Sequence, residues 1–226
     1  MTLLTDLLNS AKDTVRGLLF TTVERLAHRV GYPFHQDHYG RSIVRTLYFK
    51  ELYDQIGPLD GDIVECGVAY GQSLMAWSAL AQQEGKGRTV RGFDSFQGFP
   101  TPTREDVSAR RAREGAFREA SAERILAMAK MAGLPPPVLT GGFFENTLPS
   151  FDGAIALLHV DCDLYESYRT VLGTLFDRVV PGGIVAFDDY GSPLWPGATK
   201  AVDEFVAGRY PLRKADHLNR YYLVKA

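Results

Sequence analysis

The chain has 226 residues, 45% apolar and 23% charged, which is ordinary for one soluble globular domain around a single core. A formal net charge of −2 gives no electrostatic reason to expect nucleic acid or an anionic membrane as partner, and only two cysteines, Cys66 and Cys162, argue against a disulfide scaffold. No apolar run approaches the roughly 20 residues of a membrane span, and the N-terminus lacks the basic segment and apolar stretch of a signal peptide, so a cytoplasmic protein is expected.

Residues 2–30 carry Leu4, Leu7, Leu8, Ala11, Val15, Leu18, Leu19, Val23, Leu26 and Ala27 close to a helical stripe. Packing on the domain's own core, a subunit contact or active-site lid, and membrane-surface attachment are the open uses of that stripe, with the mixed charge weighing against the last. A polar, aromatic turn is expected over residues 31–40. A second amphipathic helix, about 41–55, then ends before Gly57-Pro58. Residues 1–57 thus read as an N-terminal helical lid or oligomer segment, and 58–226 as the α/β core of a single domain.

From Asp60 onward strand and helix patterns alternate, which marks a parallel sheet wound with crossover helices. The strands are predicted at about 62–66, 88–94, 137–141, 154–160 and 183–188, with helices at about 71–83, 120–132, 165–179 and 198–208. A terminal antiparallel pair, 212–218 and 221–225, closes the chain. Between Pro100 and Ala120 lies a charged insert, either solvated surface or part of a lid.

Two strands set the chemistry. The run from Ile155 to Val160 stops at Asp161, Cys162 and Asp163, and the run GGIVAFDDY ends in Asp188 and Asp189. Open parallel sheets bind ligands at their carboxyl edges, and four carboxylates gathered there repel one another unless something positive sits among them. The first strand runs into Glu65-Cys66-Gly67-Val68-Ala69-Tyr70-Gly71-Gln72-Ser73. Glu65 would repel a pyrophosphate, and no Lys follows as in a P-loop, so a cationic group such as the amino or sulfonium end of S-adenosylmethionine (SAM) suits it better. Asp94, at the end of the second strand, is placed to accept hydrogen bonds from ribose hydroxyls. The third strand ends in Gly141-Gly142-Phe143-Phe144, where backbone and ring would face an adenine.

The segments ECGVAYGQS, GFDSFQGFP, GAFREASAE, GGFFENTLP, LLHVDCDLYES, VVPGGIVAFDDYG and ATKAVDEF, from Asp62 to Phe205, resemble in sequence and order the motifs of the macrocin O-methyltransferase family. Members methylate sugar or other hydroxyls on natural products such as macrolide antibiotics. The resemblance implies a class I SAM-dependent methyltransferase fold, a Rossmann-like α/β architecture with a seven-stranded, mostly parallel sheet flanked by helices and with extra N-terminal helices. It implies a homo-oligomer, and a Mg²⁺ ion held by three aspartates as in the related catechol O-methyltransferases. On this resemblance Asp161 is metal ligand, general base and cofactor contact, and Asp188 and Asp189 are the other ligands. Glu65, Gly67 and Ser73 fall on the methionine side of SAM, with Val68 beside them. Asp94 falls on the ribose, with Ser95 next to it, and Gly142 and Phe143 on the adenine side. Ala69-Tyr70 and Gln72 depart from the Trp-Arg and Gly that many relatives carry. The match is weakest before residue 60 and after Pro100, where acceptor recognition is expected, so the small-molecule acceptor, a sugar or phenolic hydroxyl, stays open.

The chemistry fits these residue types. A sugar hydroxyl is weakly acidic, and a carboxylate-bound hard cation stabilises its alkoxide while a nearby carboxylate takes the proton. Asp163 is expected to cap the helix that starts near Leu164, the alternative being an outer-shell contact. His159 shares a strand face with Asp161 and reads first as a satisfied core histidine, second as a cofactor or substrate contact. Tyr70, Tyr165, Tyr190 and Trp195 are packing groups or acceptor-pocket walls. Two rival functions remain. An apolar strand ending in Asp-x-Asp also suits a metal-dependent nucleotide-sugar glycosyltransferase, which leaves Glu65, Asp94 and the Asp188-Asp189 pair without jobs. The other is a non-catalytic SAM-binding protein.

Overall fold

The computed structural model describes residues 34–226, with side chains from residue 43 onward. The apolar stripe of residues 2–30 lies outside the described residues. The chain divides into two compact units, Met1–Arg45 and Thr46–Ala226, and the described side chains belong almost wholly to the second.

Short apolar runs bounded by glycine, proline or acidic residues become the strands: β1 Asp62–Cys66, β2 Val90–Asp94, β3 Val138–Gly141, β4 Ile155–Val160, β5 Val179–Phe187, β6 Arg213–Lys214 and β7 Tyr221–Val224. They form one seven-stranded sheet in the order β3-β2-β1-β4-β5-β7-β6. The first five pair in parallel, while β7 runs antiparallel to both β5 and β6. The helices are α1 Phe34–Ile56, α2 Gln72–Glu84, α3 Ala122–Met131, α4 Phe144–Thr147, α5 Tyr165–Leu175 and α6 Pro196–Val206.

Every residue of β4 is buried, as expected of a central parallel strand covered on both faces. Leu158 and Val160 face a cluster that includes Tyr168, Val171 and Leu172 of α5 and Ala198, Ala201 and Val202 of α6. Leu157 faces the other cluster, with Tyr48, Phe49 and Leu52 of α1 and Leu74 and Trp77 of α2. The sheet is therefore held from both sides, and its carboxyl edge is a fixed platform.

Three expectations shift. α1 already starts at Phe34, inside the stretch read as a turn, because its continuing helical backbone absorbs Gly40. The boundary expected at residue 57 moves back, since Tyr48, Phe49, Leu52, Tyr53 and Ile56 are core residues of the second unit. β5 begins at Val179 rather than at 183, because Pro181-Gly182-Gly183 is accommodated as an irregularity within the strand, its register shifting between Ile155 and Leu157 of β4. Among the described residues no helix is long and apolar enough to cross a membrane.

The C-terminal strand is fastened by one cation. Lys225 Nζ donates to the carbonyls of Phe176, Asp177 and Val179, in and just after the 3-10 turn Phe176–Arg178, at 3.0, 3.2 and 2.8 Å. Lys225→Met keeps the stem but removes the donors. It is expected to cost about 1.5–3 kcal/mol in urea unfolding, the range for hydrogen bonds to a charged group.

Candidate active site

The hydrogen-bond ladders run one step past the strand ends and align five of them. Gly142 N donates to Asp94 O, Gly67 N to Phe93 O, Asp161 N to Cys66 O and Asp188 N to Val160 O, all at 2.9–3.0 Å. The residues after β3, β1, β4 and β5 thus stand in a row along the carboxyl edge. That row holds most of the predicted site.

The turns leaving this edge are strained, and carboxylates hold them. Ala69, Phe96 and Asp163 are non-glycine residues in the left-handed region, with φ of 45°, 51° and 62°. Each has its N–H bound by a carboxylate of the edge. Asp94 Oδ2 accepts from Val68 and Ala69, both at 2.9 Å, and its Oδ1 accepts from Phe96 at 2.8 Å. Asp189 Oδ2 accepts from Asp163 at 3.0 Å. Asp94, expected on a ribose, is here first the brace of the loop after β1. Ser95 is engaged in its own turn, donating to Gly98 O at 2.7 Å and accepting from Gln97 N at 3.0 Å. Gly142 sits beside Asp94 on the edge, and Phe143 precedes α4.

Deeper in the edge lies a buried ion-pair chain. Glu65 and His159 are both 0% exposed, with His159 Nδ1 3.0 Å from Glu65 Oε1 and Nε2 3.6 Å from Asp188 Oδ1. Burial would lower the histidine's pKa, but the carboxylates of Asp188 and Glu65 outweigh it and push it up to about 10. That shift favours the imidazolium at neutral pH. It supplies part of the positive charge that the acidic strand ends require, a role beyond either the core residue or the ligand contact expected of it. Ser73 Oγ donates to the same Glu65 oxygen, while Glu65 Oε2 is buried without a hydrogen-bond partner among the described residues. Arg220, leading into β7, brings a second cation, its Nη2 3.5 Å from Asp188 Oδ2.

Asp188 is thereby drawn toward His159 and Arg220. The carboxylates that converge are Asp161, Asp163 and Asp189, each offering an oxygen within 4.8 Å of the others. Asp163 joins this group because its left-handed turn is fixed by the Asp189 carboxylate, while Asp188, the third member of the expected trio, stands next to Asp189 on the same strand end. Tyr168 buttresses Asp189, its hydroxyl 3.0 Å from Oδ2 and accepting the Asp189 N–H at 3.2 Å. Burial, and then the neighbouring charge of Asp188, raise Asp189 to about 6; burial and the surrounding aspartates raise Asp163 as well. The group keeps its negative charge only against resistance, which is the condition an oxygen-seeking divalent ion relieves. The donor set is all oxygen and suits Mg²⁺ better than zinc.

The helix cap expected of Asp163 comes from elsewhere. Leu164 is the N-cap of α5 and provides no side-chain bond; the Tyr165 N–H goes to Asp106 Oδ1 at 2.8 Å, from the insert after Pro100. Thr103-Arg104-Glu105-Asp106 has the spacing of a capping box, which closes on the local 3-10 turn and not on α5. The insert packs through Phe99, whose ring meets Phe117 and Trp195 at 5.1 and 5.9 Å. It also lines a cavity of about 520 Å³ together with Tyr70, which is 53% exposed. Of the four aromatics considered for the acceptor pocket, Tyr70 borders this cavity. Tyr165 and Tyr190 instead donate to Glu204 and Asp203, and Trp195 packs on the insert. Cys66 and Cys162 are free and buried, and burial pushes both thiols up.

A seven-stranded sheet with one antiparallel strand slipped between β5 and β6, an acidic carboxyl edge and a glycine-bearing turn after β1 define a class I methyltransferase fold. Within that class the chain belongs to the macrocin-O-methyltransferase (TylF) family, whose pattern it matches over residues 47–222. It is 33% identical over 138 residues to a tetracenomycin-C-type rhamnosyl 4'-O-methyltransferase of Streptomyces olivaceus, covering 58% of this chain and 53% of that one. It is 32% identical over 161 residues to demethyldecarbamoylnovobiocin O-methyltransferase of Streptomyces niveus, covering 65% and 58%. The matches therefore span little more than half the length of these curated relatives. Among solved structures it resembles the calicheamicin methyltransferase CalS11, with a TM-score of 0.72, 29% identity and coverage of 80% of this chain and 79% of that one.

Proposed function

We propose that this chain is an O-methyltransferase that uses SAM to methylate a hydroxyl of a sugar or related natural-product acceptor, assisted by a divalent ion. The observation that carries the reading is the meeting of Asp161, Asp163 and Asp189 at the ends of β4 and β5, one strand away from the braced turn after β1. Family membership and the named activities of the relatives support the same class of reaction. The SAM site is the edge from Glu65 to Gly142, where residues 67–72 carry no Lys or Arg for a pyrophosphate and the local charge is negative. When bound, SAM would supply an electrophilic methyl on a sulfonium, and a Mg²⁺ held by Asp161 and Asp189 together with Asp163 or Asp188 would make the acceptor hydroxyl more acidic.

The chain's own residues do the rest. Asp161 takes the hydroxyl proton on a carboxylate oxygen. Its backbone is tied to Cys66, so the base keeps a fixed distance from the turn that holds the cofactor. His159 and Arg220 stand against the Asp188 carboxylate, and Tyr168 holds that of Asp189. The cavity bordered by Tyr70 and the insert receives the acceptor.

Isothermal calorimetry tests the reading directly. S-adenosylhomocysteine and SAM are expected to bind with micromolar affinity, and added Mg²⁺ to bind at one site that EDTA clears. Binding of a nucleotide sugar in place of SAM would overturn the assignment in favour of glycosyl transfer.

A further inference from the structure

The insert after β2 is fastened at one buried point. Asp106 is 3% exposed, and both of its oxygens are in use: Oδ1 accepts the Tyr165 N–H at 2.8 Å, and Oδ2 accepts Thr103 N at 2.7 Å and Thr103 Oγ1 at 2.9 Å. The first N–H groups of a helix have no partner inside it, and α5 has no local side chain to serve them. A carboxylate from 59 residues upstream does so, and its charge is favourable at that helix end. The neighbouring helix makes room for it. A Cβ on Gly197 of α6 would lie 2.0 Å from Asp106 Oδ1 and 3.0 Å from Tyr165 Cβ.

The turn between β4 and α5 carries Asp161 and Asp163. It is tight, with Leu164 N donating to Cys162 O at 2.6 Å and Asp163 in the left-handed region. Asp189 holds the turn at Asp163, and Asp106 holds it two residues later at Tyr165. Exposed ties between the insert and the region of α6, Lys200–Glu105 at 3.3 Å and Ser108 Oγ–Leu194 O at 2.8 Å, add little by themselves.

We propose that Asp106 is a positioning residue that clamps the insert to the start of α5 and so sets the geometry of Asp161 and Asp163. The proposal rests on the metal-assisted reading above. It makes the insert, which borders the acceptor cavity, mechanically continuous with the acidic group: a displacement of one is felt by the other. It also gives Gly197 a purpose, the accommodation of a carboxylate from another segment.

The test uses the full chain as wild type, Asp106→Ala, Asp106→Asn and Gly197→Ala, each checked for cooperative thermal unfolding. Three quantities are read: S-adenosylhomocysteine affinity by calorimetry, Mn²⁺ affinity from the electron paramagnetic signal of the free ion, and the rate of tryptic cleavage within residues 104–118. Asp106→Ala is expected to keep S-adenosylhomocysteine affinity, to weaken Mn²⁺ about tenfold, as loss of a supporting partner does at a metal site, and to speed cleavage of the insert. Asp106→Asn retains an oxygen for Tyr165 but sets an amide donor against Thr103, so cleavage rises while Mn²⁺ affinity largely recovers. Gly197→Ala, which keeps the carboxylate but displaces it, should match Asp106→Ala, and it carries the test if that variant does not fold. Unchanged Mn²⁺ affinity in folded Asp106→Ala or Gly197→Ala would overturn the positioning role alone. A wild-type chain that binds S-adenosylhomocysteine but no Mn²⁺ would remove the metal-assisted reading, and the proposal with it.

Discussion

Asp161→Asn is expected to bind SAM within about threefold of wild type and to lose methyl transfer by about 10²–10⁴-fold, the usual worth of a positioned general base. The substitution keeps volume and shape while removing charge and basicity. The backbone tie from Asp161 N to Cys66 O is untouched, so the strand end stays in place. The effect should fall on kcat rather than on cofactor affinity, since the lost interaction is made with the reacting proton. The measurement pairs calorimetry with S-adenosylhomocysteine and mass detection of one added methyl on an accepted hydroxyl. Turnover at the wild-type rate would remove Asp161 from the role of base.

Much of this arrangement was legible in the sequence because strand ends are legible. The apolar run Ile155–Val160 has one physical interpretation, a strand buried on both faces, and the carboxylates that terminate it must then lie at the sheet edge. Glu65, Asp94, Asp161, Asp188 and Asp189 were placed at that edge by this reasoning, and the family resemblance supplied their expected roles. The direction in which each side chain points was not legible. Asp188 and Asp189 are adjacent in sequence, and nothing local tells that His159 and Arg220 approach Asp188 while Asp163 and Tyr168 approach Asp189. His159 itself shows the limit of reading residue by residue. An isolated buried histidine is a neutral core group, whereas one held between Glu65 and Asp188 is a cation, and that pairing spans residues 65, 159 and 188.

The insert illustrates a different gap. Its charged composition reads as solvated surface, yet Asp106 is among the most buried acids in the described chain. Composition averages over twenty residues, while a single cap is decided by three hydrogen bonds. The Thr-x-x-Asp spacing belongs to a local turn and says nothing of the distant helix that the same carboxylate also serves. Long-range capping of this kind has no local sequence signature.

Gly67→Ala is expected to be the most damaging single-methyl change in the second unit. Gly67 leaves β1 at φ +91°, and a Cβ there would come 1.8 Å from Asp161 O and 2.6 Å from Asp161 C. Those are backbone atoms of the neighbouring strand end, so no side-chain rotation relieves the overlap. Either β1 or the Asp161 turn must move, and Asp94 and Asp189 hold the adjoining turns against that movement. Gly85 is the natural control: it closes α2 at φ +76°, and a Cβ added there would meet nothing within 4 Å. Gly85→Ala should therefore cost only its backbone penalty, about 1–2 kcal/mol. Gly67→Ala should cost about 4 kcal/mol or more, the range reserved for strain or overpacking at a fixed site, and should lose S-adenosylhomocysteine binding together with stability. Urea unfolding of the two variants separates the causes, because the φ penalty is common to both and the collision belongs to one. Equal losses would mean that the strand ends yield to the added methyl, and that the close approach of β1 to the Asp161 turn is not what fixes the catalytic edge.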